Sequence, residues 1–278
     1  MINQVKTFGF LTLLTVIFLF IGSYLAGPTG LTIALILAVA FNLLAYFFAH
    51  KLVLAMYHAK EADRTKYAEI HEIVKDVAER ASIPKPKVYI IESDSKNAFA
   101  TGPSPKRGIV AVTTGILDLL TKEELRGVLA HEISHIKNRD ILIGTIAAMI
   151  AGAISYVAIA ARWTALLGGA REDSPSVWEL IALSIITPLI AILIQLAVSR
   201  SREYLADESG AKIIKNPNAL ADALQKLHAA SKTTPMETNP ATAHMFIVNP
   251  LKGSAILNLL STHPDINKRI GRLRAMRF

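Results

Sequence analysis

Four segments of this chain carry no charged residue: Phe8–Ala26, Leu31–Ala49, Ile141–Ala161 and Ile181–Val198. Each is about 18–21 residues, enough for a helix to cross a hydrocarbon core ~30 Å thick. Nothing else in the sequence constrains the fold as strongly, because lipid leaves a backbone no partner outside its own helix or a closed barrel. Four transmembrane helices are therefore expected. Pro188 in the last segment is tolerable in such a helix, with a kink. These segments also explain why only 19% of residues are charged and mean hydropathy is +0.39. A cleaved leader fits the first segment poorly. The run is too long for a leader's apolar region, and Tyr24 is a bulky residue three before a cut after Ala26.

Basic residues set the expected orientation. His50–Asp140 holds fifteen Lys and Arg and Ser199–Phe278 twelve, whereas the Gly27–Gly30 turn has none. The connection after Ala161 has only Arg162 and Arg171, offset by Glu172, Asp173 and Glu179. Positive charge stays on the cytoplasmic side, so both polar regions and both termini are expected there, in a multi-pass cell (inner) membrane protein. The formal charge of +8 is then retention on that side and attraction to anionic lipid, with no nucleic acid partner. The chain has no cysteine, which excludes disulfides and thiolate metal ligands.

The polar regions read as mainly helical. Tyr57–Ala81 has helical periodicity, with Ile70, Ile73, Val74 and Val77 on one side, and Pro84 and Pro86 end it. Lys87–Glu92, Asn97–Thr101 and Gly108–Thr113 read as three short strands of a small antiparallel or mixed sheet, the last two separated by the turn-rich Gly102–Arg107. Thr121 and Glu124 form a capping box that opens a helix ending near Asn138. That helix reads as amphipathic, at the domain surface and within a few turns of the membrane that resumes at Ile141. Helices are also expected after Val198 through Ile214, over Asn218–Ala230, and over Pro264–Met276, with Pro235–Gly253 irregular.

The capped helix carries His131-Glu-Ile-Ser-His135, an H-E-x-x-H motif. Residues four apart share a helix face, so both imidazoles can ligate one ion while Glu132 stands aside as a general base. Zinc needs a third protein ligand, and the candidates are Asp140, Glu203, Asp207, His228, His244 and His263. Glu203 stands out because Glu203 and Asp207 are an i, i+4 acidic pair: one carboxylate could bind metal while the other accepts a ligand histidine's second N–H. The same spacing also fits a solvated acidic face near Arg200 and Arg202.

Taken together, Asn97-Ala-Phe-Ala100, His131–His135 continuing to Asp140, Arg202–Asp207, and Ser261-Thr-His-Pro264 with Arg269-Ile270 resemble the HtpX-type membrane zinc metalloproteases, relatives of the CaaX prenyl endopeptidases. The resemblance covers essentially the whole chain. It implies a gluzincin-like protease domain, α+β and mainly α with a small sheet, joined to about four transmembrane helices. Residues 1–50 would be two membrane helices, 51–140 the first part of the protease domain, 141–198 helices three and four, and 199–278 the second part. It further implies one Zn2+ held by His131, His135 and Glu203, Glu132 as catalytic base, and Asp207 behind a ligand histidine. Asn97, Ala98, Phe99 and Ala100 would pair with an extended substrate, and His263 is a candidate transition-state stabiliser. Arg202 and Arg269 are candidates for structural or transition-state roles, while Asn138 and Asp140 read as caps and anchors of the motif helix.

The implied function is a membrane-bound zinc endopeptidase that cuts misfolded or damaged membrane proteins, in quality control and stress response. Two alternatives compete. An intramembrane protease would place the motif inside an apolar span, but Lys122, Glu123, Glu124, Arg126, Lys137 and Arg139 surround it here. A non-enzymatic adaptor with a structural metal would not need Glu132.

Overall fold

The computed structural model describes residues 2–140, 200–233, 247 and 264–277. The elements in chain order are α1 (Ile2–Met56), β1 (Lys60–Glu61), α2 (Ala68–Arg80), β2 (Lys87–Ile91), β3 (Ala98–Thr101), β4 (Ile109–Thr113), α3 (Thr114–Leu119), α4 (Lys122–Asn138), α5 (Arg200–Ile214), α6 (Pro217–Thr233) and α7 (Ile266–Arg274). The third and fourth uncharged segments, His244, His263 and all of Pro235–Gly253 except Ile247 lie outside the described residues.

The sheet is mixed, in the order β1-β2-β4-β3. β2 runs parallel to β4, and β1 and β3 are antiparallel to their neighbours. β1 was not expected. It arises because the helical period of Tyr57–Ala81 holds only from Ala68 onward. Upstream, the Asp63 carboxylate accepts from the N–H groups of Thr65 and Lys66, which closes a turn instead of a helical coil. Lys60 and Glu61 are thereby left extended against Ile90 and Tyr89.

The capping box is present in full: the Thr121 side chain accepts from Glu124 N–H, and the Glu124 carboxylate accepts from Thr121 N–H. The helix it opens, α4, is central and not superficial, which corrects the surface-helix expectation. Leu125, Val128, Leu129, Ile133 and Ile136 share one core with Ile73, Val74 and Val77 of α2, Val110 and Val112 of β4, and Leu220, Leu224 and Leu227 of α6. Charges cluster at its ends, and its middle is buried on nearly every face. Composition concealed this, because several of the buried positions are polar: His131, Glu132 and Ser134.

Helical backbone in α1 runs from Ile2 to Met56. Its one left-handed residue, Gly27 at φ +55, is followed by Pro28, at the position where the sequence places a turn between the first two uncharged segments. Glycine takes that conformation without a Cβ clash, and proline suits the first position of a new helix. Many of the described apolar side chains of α1 face outward, with Phe20 74% and Ile36 64% exposed. Among the described residues no helix is long and apolar enough to cross a membrane, the side chains of α1 being described only in part. The last turns of α1 are covered: Val53 and Leu54 pack with Ile91, Phe99, Ile109 and Ala111 of the sheet.

Candidate active site

The site forms where α4 and α5 cross. Gly210 makes the crossing close, since a Cβ there would lie 2.9 Å from His131 N and 3.0 Å from the Ala130 carbonyl carbon. Asp207 and Glu203 lie one and two turns before Gly210, so the same approach brings both carboxylates to the histidines. Gly210→Ala is expected to push α5 away by a few tenths of an ångström and to weaken the binding of any metal ion held between the two helices at least about ten-fold. Competition with a chelator of known affinity measures this, and an unchanged affinity would remove Gly210 from the account.

His131 Nε2 and His135 Nε2 are 3.2 Å apart. Glu203 approaches both, with Oε2 3.7 Å from His131 Nε2 and Oε1 3.4 Å from His135 Nε2. These three residues form the one group of potential metal ligands found among the described residues. Their separations match the edge of a tetrahedron with bonds of 2.0–2.1 Å, about 3.4 Å. Of the other proposed third ligands, Asp140 and Asp207 lie behind the histidines, and His228 is half-buried on α6.

Each histidine has its own carboxylate behind it. His131 Nδ1 is 2.9 Å from Asp207 Oδ1, and His135 Nδ1 is 3.2 Å from Asp140 Oδ2. The second partner comes from the way α4 ends. Arg139 adopts φ +60, and the N–H groups of Arg139 and Asp140 donate to the carbonyls of Ile136 and His135. This is a Schellman-type end made without glycine, at a cost of about 1–2 kcal/mol, and it folds Asp140 back onto its own helix. Sequence reasoning placed Asp140 as a cap and anchor but missed its hold on His135.

Arg269 is the other missed contact. It is fully buried, donates Nε and Nη2 to the two Asp207 oxygens at 2.8 and 2.7 Å, and has Nη1 3.4 Å from Glu203 Oε2. Nη1 also donates to the Ile247 carbonyl at 3.2 Å. A signal existed: Ile266, Arg269, Ile270 and Leu273 follow one helical stripe, so this arginine stands in the apolar face of α7.

The electrostatics follow from burial among these charges. Burial pushes the Glu132 carboxyl up to about 8, with the neighbouring Glu203 acting in the same direction. Burial lowers His135, but hydrogen bonds to Asp140 and Glu203 outweigh it and raise the imidazole to about 10. Asp207 goes the other way, to about 2, because Arg269 and His131 overcome its burial. Arg202 is buried too, with Asp140 and Glu203 opposing the loss of its charge. The metal-free cluster thus concentrates carboxylates around two imidazoles, a donor set suited to a divalent cation.

Glu132 also accepts a hydrogen bond from the Ala100 N–H of β3, the terminal strand of the sheet. All four residues of that strand are buried, and Asn97 Oδ1 accepts from the N–H groups of Ala98 and Ile247. Glu132 and the strand expected to pair with substrate are therefore in direct contact, but the strand is covered rather than open to solvent.

This combination of helix, third carboxylate and neighbouring sheet has a family match: a family model described as peptidase family M48 fits residues 64–277. The chain belongs to peptidase family M48. Among its relatives, a "Protease HtpX homolog" of Thermodesulfovibrio yellowstonii is 55% identical over 277 residues, covering 99% of this chain and 98% of the relative. A "Protease HtpX homolog" of Thermococcus kodakarensis is 48% identical over 278 residues, covering 99% and 96%. The crystal structure of S. mikatae Ste24p matches with a TM-score of 0.53 at 17% identity, over 93% of this chain and 61% of that one, and supports the fold. This M48 chain is thus a metalloprotease, a hydrolase of peptide bonds.

Proposed function

We propose that the chain is a zinc endopeptidase held in a membrane by uncharged helices, with residues 51–140 and 199–278 forming its protease domain on the cytoplasmic side. The observation that carries the catalytic part is the set of His131, His135 and Glu203 ligand atoms 3.2–3.7 Å apart, with Glu132 beside them. These three would hold the ion, which when bound supplies Lewis acidity toward the scissile carbonyl and lowers the pKa of water. Asp207 and Asp140 fix the tautomers of His131 and His135 by accepting at Nδ1, which keeps Nε2 free for the ion. Glu132 takes a proton from attacking water and delivers one to the leaving amine. Asn97–Ala100 would bind substrate as an added strand, which requires the cover over β3 to give way.

The outward apolar residues of α1 support the membrane reading, since a water-soluble surface rarely carries such a patch. A protease domain fastened to that helix through Val53 and Leu54 is held near the bilayer. The substrates proposed on this ground are misfolded or damaged membrane proteins, cut in their cytoplasmic loops.

The direct test is purification in detergent without metal, followed by cleavage of casein and of an unfolded membrane protein before and after zinc is added. Activity is expected only with the ion, and metal-independent cleavage would sink the reading. Binding itself has a proton signature. The metal-free His135 is raised to about 10, so it is protonated at pH 7, whereas a ligand imidazole must be neutral. Uptake at neutral pH is expected to release at least one proton, with Glu132, at about 8, able to give up a second, and affinity to rise at least about ten-fold per pH unit between pH 6 and 8. Calorimetry in buffers of different ionisation enthalpy reads this, and a buffer-independent heat would contradict it.

A further inference from the structure

Five basic side chains play no part in the site: Lys51 near the end of α1, Lys106 and Arg107 in the turn between β3 and β4, and Lys137 and Arg139 at the end of α4. All five are exposed, and among the described residues none forms an ion pair.

Packing gathers them on one side of the domain. Val53 and Leu54, just after Lys51, pack with Ile109, two residues past Arg107. Between Arg107 and Ile109, Gly108 lies against α4, where an added Cβ would be 2.9 Å from Ile136 Cγ2, the residue before Lys137. Three elements distant in sequence thus bring their basic residues to one rim. The nearest acid in sequence, Asp140, is buried and turned onto His135, so it does not neutralise them.

The rim also has a constant relation to the uncharged chain. The segment Leu31–Ala49 stops two residues before Lys51, and Ile141–Ala161 starts two residues after Arg139. On the membrane reading above, every one of these cations stands at headgroup depth. Gathered like charges repel one another unless an anion screens them, and an anionic leaflet supplies that anion along the whole rim.

We propose that Lys51, Lys106, Arg107, Lys137 and Arg139 form a binding surface for anionic phospholipid headgroups of the bilayer that holds α1. The proposal rests on the membrane reading and adds a lipid preference to it. Its consequence is positional: headgroups grip the β3–β4 turn and the end of α4, and so fix how the sheet and the motif helix sit over the bilayer. Phosphate diester groups with a net negative charge, such as phosphatidylglycerol, are the ligands, and zwitterionic phosphatidylcholine is not.

The test uses the full chain in mixed vesicles of phosphatidylcholine and phosphatidylglycerol, extracted gently so that bound lipid stays with the protein and can be quantified. The wild type is expected to be enriched in phosphatidylglycerol at low salt and to lose that enrichment at high salt. Arg107→Glu, in an exposed turn, should cut it roughly five-fold and Lys106→Glu/Arg107→Glu further, while Arg107→Lys retains it. Lys215→Glu changes net charge equally at the far end of α5, about 22 Å along the helix from Arg200, and should leave it intact. Equal enrichment in wild type and Lys106→Glu/Arg107→Glu, or equal loss in Lys215→Glu, would overturn the proposal. Alkaline carbonate separates the two readings. A chain stripped from the vesicles refutes the membrane reading and this one with it. A chain that stays without lipid preference refutes this one alone.

Discussion

Glu132→Gln is expected to lower peptide hydrolysis by ~10²–10⁴-fold while the protein keeps one equivalent of zinc. The argument is geometric first. Glu132 sits beside the three proposed ligand residues but is not one of them, and it is tied to the β3 edge through the Ala100 N–H. Removing its basicity should therefore leave the ion in place and stop proton transfer. The substitution is also gentle on the fold. Burial raises the Glu132 carboxyl to about 8, so in the metal-free chain at pH 7 it is already mostly protonated, and an amide of the same shape replaces it. Metal content by mass spectrometry and casein cleavage measure the two halves of the prediction. Cleavage above about a tenth of the wild-type rate in a contaminant-free preparation would remove Glu132 from its role. Loss of zinc from the variant would instead make it a ligand.

Arg269→Ala is expected to be the most destabilising single change in the described residues. It removes a cation held by both oxygens of Asp207 and adjacent to Glu203, leaving the buried Asp207 carboxylate without its arginine and Glu203 with one cation fewer beside it. Breaking one partner of such a pair costs about 3–5 kcal/mol, far more than an exposed salt bridge would. In a detergent melting experiment the metal-free protein should lose roughly 10 °C. Arg269→Lys should recover little, because an ammonium cannot meet both Asp207 oxygens and the Ile247 carbonyl at once. Asp207→Asn/Arg269→Ala should be less destabilised than Arg269→Ala alone, since it removes the stranded charge. If Arg269→Ala melts within a degree or two of wild type, the buried pair is not what holds α7 against α5.

Much of this was legible in the sequence, for physical reasons that differ by residue. Thr121 and Glu124 announce the start of α4 because a capping box is local chemistry, satisfied within four residues. His131 and His135 announce a shared face because helical spacing is fixed. Glu203 needed more, since spacing alone cannot tell a ligand from a solvated acidic face, and the family resemblance singled it out. The structure then brings it within 3.7 Å of both imidazoles. What stayed hidden was non-local. That α4 is central depends on α2, α6 and the sheet all choosing it as their partner, and no window of its own sequence records that. Arg269 was a candidate with no partner assigned, because an arginine in an apolar stripe has meaning only once its acidic partner, 62 residues earlier, is beside it. β1 was lost for the opposite reason: one side-chain turn at Asp63 overrode a periodic pattern that read as continuous.

The end of α4 joins two tasks that are usually separate. Asp140 is both the residue at which the chain leaves the motif helix and the carboxylate that steadies the His135 ring. The uncharged segment beginning at Ile141 is therefore covalently continuous with the support of a proposed metal ligand. A tug or twist on the chain beyond Asp140 acts on a lever whose other arm is an imidazole.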